Sequence, residues 1–281
     1  MNRLLTTFIA SISAMGSVGT AFAADMQVKA PIEAPAYNWS GFYLGVNGGF
    51  GWGRNDTDFT GAPQNAPGND LISRVFDGPL NFAPITRSQV IDSQGAFGGA
   101  QFGYNWQFAG LWVGGFEADI QASDLHGNFT RIAPLVPLTL SAEQKLDWFG
   151  TARGRLGYLV NGRVLVFGTG GLAYAETDVS ANFFSNGFGG ATNPTSTIAC
   201  VVGARCLAGQ SSNTSAGWTA GAGVEWDVTN RATIKFEYLH IGLPETTLVM
   251  VTTPPASGNG TVTATFRNQF DIVRAGLNLR F

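Results

Sequence analysis

An all-β fold, an eight-stranded antiparallel transmembrane β-barrel with short periplasmic turns and long extracellular loops, is what the 281-residue sequence predicts. Three observations carry it: apolar residues that recur at every second position, connections that alternate short and long, and an export signal at the N-terminus. Composition agrees, because 38 residues are Gly and 21 are Phe, with 7 Trp and 6 Tyr, while only 12% are charged. A mean hydropathy of +0.09 is high for a water-soluble chain. Beyond the N-terminus no apolar run is long enough to cross a bilayer as a helix. Strands that alternate lipid-facing and lumen-facing residues reconcile the two facts. A net charge of −3 is too small to draw nucleic acid.

The first element is MNRLLTTFIASISAMGSVGTAFAAD, with a basic Arg3, an apolar stretch and then Ala21-Phe22-Ala23. This is the order of a secretory signal peptide, so residues 1–23 are expected to be cleaved off during export. Ser and Thr interrupt the apolar run and speak against an anchor helix. Residues 24–38 read as a Pro-containing periplasmic linker, and 39–281 as the barrel in the cell outer membrane.

The strands follow in order. WSGFYLGVNGGFGWG places Phe42, Leu44, Val46, Phe50 and Trp52 on one parity, with Tyr43, Gly45 and Asn47 on the other. Arg54 to Ser93 is polar, rich in Pro and Gly and aperiodic, and reads as a long loop. In QGAFGGAQFGYNWQ, Phe102, Tyr104 and Trp106 face outward and Gln101, Asn105 and Gln107 inward. LWVGGFEADIQA sets Trp112, Phe116 and Ile120 against Glu117, Asp119 and Gln121. KLDWFGTARGRLGY sets Leu146, Trp148, Leu156 and Tyr158 against Asp147, Arg153 and Arg155. RVLVFGTGGLAY offers Val164, Val166, Leu172 and Tyr174 to lipid. SAGWTAGAGVEW opposes Trp218, Val224 and Trp226 to Thr219 and Glu225, and ATIKFEYLH opposes Ile234, Phe236 and Tyr238 to Lys235 and Glu237. The eighth strand lies in TFRNQFDIVRAGLNLRF, where Val273, Ala275, Leu277, Leu279 and Phe281 oppose Arg274, Asn278 and Arg280.

Between strands two and three stands only FAG, between four and five LVNG, and between six and seven DVTN. The other connections are far longer than hairpin loops. Short turns on one rim and long loops on the other are the layout of an outer-membrane barrel with its short side periplasmic. Closure removes sheet edges that lipid could not satisfy, so the last strand is expected to pair with the first.

YNWSGFYLGVNGGFGWG, VFGTGGLAYA, FEYLHIG and VRAGLNLRF resemble segments of the small, porin-like alphaproteobacterial outer-membrane barrels, the outer membrane immunogenic protein family. The resemblance covers essentially the whole mature chain. It implies that Phe281 is an assembly signal by which the barrel-assembly machinery recognises the C-terminal strand. It further implies a surface role in envelope integrity or in contact with a ligand or host component, and no common enzyme activity.

Other motifs lose against plainer readings. GTGGLA, from Gly168 to Ala173, matches a dinucleotide fingerprint but leads into Tyr174-Ala175-Glu176 and no helix, so it reads as a glycine-rich strand. Cys200 and Cys206 in CVVGARC, placed in the third long loop, read as a disulfide in an exported chain. The only histidines are His126, placed in the second long loop, and His240, placed on the outer face with Tyr238. They define no metal site and no catalytic constellation, so neither a cofactor nor an enzyme activity is expected. Haem binding at His126, a lipid-modifying barrel and a narrow small-solute pore are the alternatives to the structural or surface-interaction role.

The inward positions are charged with both signs. Glu117, Asp119, Asp147, Glu225 and Glu237 are expected to meet Arg153, Arg155, Lys235, Arg274 and Arg280 in a lumen network that plugs the barrel. Deleting Phe281 should leave export across the inner membrane intact but lower the amount of folded barrel in outer-membrane fractions. Electrophoresis of unheated samples measures this, and an undiminished folded band would refute the assembly role.

Overall fold

The computed structural model describes residues 38–62, 88–132, 138–185, 203–253 and 261–281. The signal peptide and the linker up to residue 37 lie outside the described residues, as does Cys200. Residues 37–281 form one compact unit. It is a closed barrel of β1(Gly41–Ala62), β2(Ser88–Phe108), β3(Trp112–Ile132), β4(Leu138–Leu159), β5(Val164–Ser185), β6(Arg205–Thr229), β7(Ala232–Thr252) and β8(Thr261–Arg280). Every neighbouring pair is antiparallel, and β1 closes on β8 with Leu44 opposite Leu279. The Phe281 amide donates to the Phe42 carbonyl (3.0 Å), so the last residue completes the closure while its ring faces outward.

Short turns join β2 to β3, β4 to β5 and β6 to β7, all on one rim. The first turn bends through left-handed Ala109 (φ 48°) and Gly110 (φ 75°), a conformation that favours glycine.

Strands of 20 to 25 residues are about twice the 9–11 that a bilayer needs, and each changes character midway. On β3 the half next to the short turn exposes Trp112, Phe116 and Ile120 and buries Glu117, Asp119 and Gln121. The far half exposes Asp124, His126, Asn128 and Thr130 and buries Leu125 and Phe129. The same inversion runs round the barrel at the height of Trp52, Trp148, Tyr174, Trp218 and Tyr238. Below this girdle the wall is built for lipid; above it, the wall is that of a water-soluble barrel with an apolar core.

The inversion explains where the strands outrun the sequence reading. β1 continues to Ala62 and β2 starts at Ser88, within the stretch read as loop, because polar-out alternation carries no aromatic stripe to announce it. His126 likewise stands on β3 and Cys206 on β6, instead of in loops. A register shift between Leu146 and Trp148 corrects a second expectation. The bulge turns Leu146 into the core and leaves Asp147 outside, since an extra residue reverses the parity of everything beyond it.

Arginine at the lipid-facing Phe116 should cost about 2–4 kcal/mol. Arginine at Asn128, with the same parity but above the girdle, should stay within about 0.5 kcal/mol. Urea unfolding of the protein in lipid vesicles measures both, and equal losses would contradict the inversion.

Candidate functional site

The lower lumen is filled by a charge lattice whose members come from strands on all sides. Glu117 and Asp119 stand on β3, Arg153 and Arg155 on β4, Glu225 on β6, Lys235 and Glu237 on β7, and Arg274 on β8. The ladder sets Glu117 directly opposite Arg153 and Glu237 opposite Arg274. All eight side chains are buried.

Glu117 is the hub. Its Oε1 accepts from Arg153 Nη2 (2.6 Å), Lys235 Nζ (2.6 Å) and Arg274 Nη2 (3.0 Å), and its Oε2 accepts from the Tyr43 hydroxyl (2.7 Å). Arg153 also reaches Glu237 Oε1 (2.6 Å) and Asp119 Oδ2 (3.0 Å). Arg274 binds the same two carboxylates, through Nε to Glu237 (2.8 Å) and Nη1 to Asp119 (3.0 Å). Glu225 forms a second centre, taking Arg155 Nη2 (2.5 Å), the Thr233 hydroxyl (2.5 Å) and Asn278 Nδ2 (3.0 Å). Arg155 joins the two centres by donating to the Tyr43 hydroxyl (3.2 Å). Four carboxylates therefore face four cations, and charge-assisted bonds of this kind offset much of the desolvation of burial.

Two of the residues expected in this network stand elsewhere. Asp147, outside the lumen beyond the bulge, pairs with Lys145, whose ammonium holds the Asp147 carboxyl below the usual range. Arg280 lies at the periplasmic rim and donates to the carbonyls of Asn38 (2.7 Å) and Ser40 (3.1 Å). On β8 Arg280 stands three pleat repeats beyond Arg274, at the rim, where the chain entering β1 supplies its acceptors.

The lattice has neighbours that period-two reading missed. Tyr43 is an inward aromatic on β1, where the next inward residues, Gly45, Asn47, Gly49 and Gly51, are small. Trp39 precedes any strand and has no periodic signature. It is wholly buried in the periplasmic mouth with Val113, Leu159, Leu165 and Phe167, and its indole donates to the Gly162 carbonyl (3.1 Å). Above the lattice the lumen is packed with Phe97, Leu125, Phe149, Leu239 and Phe270. Higher still lies a second apolar cluster containing Phe59, Phe129, Phe183 and Phe266.

The remaining candidates hold no chemistry that is evident in their surroundings. Cys206 is disulfide-bonded and buried in the upper cluster. His126 is exposed and contacts the Asp124 carbonyl (2.9 Å). His240 meets Asp271 (2.8 Å), which also accepts from the Tyr238 hydroxyl (2.6 Å), all on the outer face. Among the described residues no group of three His, Cys, Asp or Glu side chains could hold a metal.

Residues 12–281 match the family described as Outer membrane protein beta-barrel domain. The chain is 34% identical over 281 residues to the 31 kDa outer-membrane immunogenic protein of Brucella melitensis biotype 1, covering 98% of this chain and 99% of the relative. It is 30% identical over 213 residues to a 22 kDa outer membrane protein of Rhizobium leguminosarum bv. viciae, covering 75% of this chain and 66% of that one. Among solved structures, the outer membrane protein OprG of Pseudomonas aeruginosa aligns with a TM-score of 0.45 at 13% identity, over 87% of this chain and 97% of that one.

Replacing Arg155 by Met should cost about 3–5 kcal/mol, because it strands the Glu225 carboxylate in the lumen. Replacing Glu225 by Met as well should recover part of that loss. Urea unfolding in vesicles gives both values; a double variant no better than the single one would show that the two residues do not act as a pair.

Proposed function

The chain belongs to the outer-membrane protein β-barrel family, that of the 31 kDa outer-membrane immunogenic proteins, and from this premise we propose a non-conducting barrel with a structural and surface-interaction role. The observation that carries this reading is the filled lumen. From the periplasm outward a path would meet Trp39, the charge lattice and two apolar clusters in succession. An eight-stranded barrel leaves an interior that side chains can fill, and here each level is filled differently. The second support is the length of the strands, whose upper halves present a polar wall beyond the girdle. Envelope integrity and contact of that raised surface with a ligand or host component are the tasks this build suits. The C-terminal strand ending at Phe281 is the part that the barrel-assembly machinery would grip, with outer-membrane lipid against the apolar lower wall.

In planar bilayers the purified protein should give no steady single-channel current. A strain lacking it should keep its uptake rate for small solutes while its detergent sensitivity or host-cell adhesion changes. Steady currents, or an uptake defect without either change, would replace this reading with a narrow pore.

A further inference from the structure

The lipid-facing wall is not evenly filled. Outward residues of β1, β8 and β7 stand in rows set by the ladder. Toward the girdle these are Gly48–Ala275–Phe236, Phe50–Val273–Tyr238 and Trp52–Asp271–His240. In the lower two rows β8 contributes the smaller residues, Ala275 and Val273, while β1 and β7 contribute Phe50, Phe236 and Tyr238. Gly48 keeps the β1 side low as well, since a Cβ there would meet only the Phe97 carbonyl, 3.5 Å away. The result is a groove of about 640 Å³ on the outer face of β8, with Phe50 on one bank and Phe236 and Tyr238 on the other. Such a lining suits a hydrocarbon chain.

Above the groove the wall turns polar. Asp271 Oδ1 meets both the Tyr238 hydroxyl (2.6 Å) and His240 Nδ1 (2.8 Å), and the Trp218 ring lies 5.2 Å from that of His240. Both contacts end on Oδ1, so Asp271 Oδ2 is open, on a side chain that is 30% exposed. Glu176, an outward carboxylate at the girdle on β5, by contrast uses both oxygens, for Trp148 Nε1 (2.6 Å) and the Ser212 hydroxyl (3.2 Å). One pleat repeat above Trp52 stands Arg54, exposed. It is opposite Asp92 on β2, yet it forms no ion pair or hydrogen bond with any described residue. Gln269, also exposed, is tied to the same level of β1 by its backbone N–H, which donates to Asn55 Oδ1 (2.9 Å).

We propose that the groove and its polar end bind one molecule of the phosphorylated glycolipid of the outer leaflet. An acyl chain fills the groove from Tyr238 down to Ala275. The acylated sugar lies at the girdle, where a hydroxyl or amide N–H donates to Asp271 Oδ2 and a C–H face rests on Trp52. A sugar phosphate reaches Arg54. An unpaired guanidinium calls for an anion, and an open carboxylate oxygen below it calls for a neutral donor. A phosphate-bearing sugar supplies both, and a bare phosphate does not. The polar end lies away from the short periplasmic turns, which assigns the lipid to the outer leaflet. The site is on the outer wall, so it holds whether or not the lumen conducts.

Native mass spectrometry of the folded full chain, released from micelles titrated with bisphosphorylated lipid A, tests this. One lipid A should stay bound per barrel. Arg54→Gln should weaken retention about tenfold, the loss of one charge-assisted hydrogen bond. Removing the phosphates from the lipid should weaken the wild type by a similar factor and the variant little. Ala275→Trp fills the groove and should abolish retention. Ala152→Trp on the outer face of β4 and Arg131→Gln, an exposed cation on β3, should not. Phosphatidic acid, which has chains and a phosphate but no sugar, should bind about tenfold more weakly than lipid A. Undiminished retention by Ala275→Trp, indifference to Arg54→Gln, or equal binding of phosphatidic acid would each overturn the assignment. If Ala275→Trp does not fold, the comparison of Arg54→Gln with the dephosphorylated lipid decides alone.

Discussion

Each strand of this barrel crosses two solvents, and that constraint governs everything else in the molecule. Lipid asks for apolar side chains outside; water above the girdle asks for polar ones. A strand has only two faces, so the interior must take whatever the exterior refuses. Below the girdle the refused residues are charged, and above it they are Phe, Leu and Ile.

Burying four carboxylates with four cations is an expensive way to fill a lumen, since apolar residues of equal volume often give equal or greater stability. The lattice contributes specificity instead. Its members come from β3, β4, β6, β7 and β8, and Tyr43 adds β1. A slip of one residue on any of these strands would turn a charge toward lipid and an aromatic toward Glu117. Register is therefore fixed by one cluster at the seams between these strands, β3 with β4, β6 with β7, β7 with β8 and β8 with β1.

Much of this was legible in the sequence. The strand count, the parity of the lower halves and the pairings of Glu117 with Arg153 and Glu237 with Arg274 follow from aromatic alternation and turn positions alone. What escaped has physical reasons. The upper halves alternate polar-out without aromatics, so β1 beyond Arg54 resembles a loop. Bulges leave no clear mark: nothing around Asp147 states that parity reverses there, and Pro244, which does mark one, hides in a stretch that already looks irregular. Trp39 depends on groups brought together across the lumen, and a reading along single strands does not see across a barrel.

The clasp at the periplasmic rim joins the last strand to the segment that leads into the first. Arg280 holds the carbonyls of Asn38 and Ser40, 242 and 240 positions earlier, and its guanidinium lies 5.6 Å from the centre of the Trp39 ring. Asn38, Trp39 and Ser40 thus cannot take their final place until the last strand has arrived. A nascent barrel stalled at seven strands has no guanidinium to draw Trp39 in, and its periplasmic mouth stays open. Shutting that mouth is the final stitch of folding, and a chain that has made it carries at its own base a physical record of being finished.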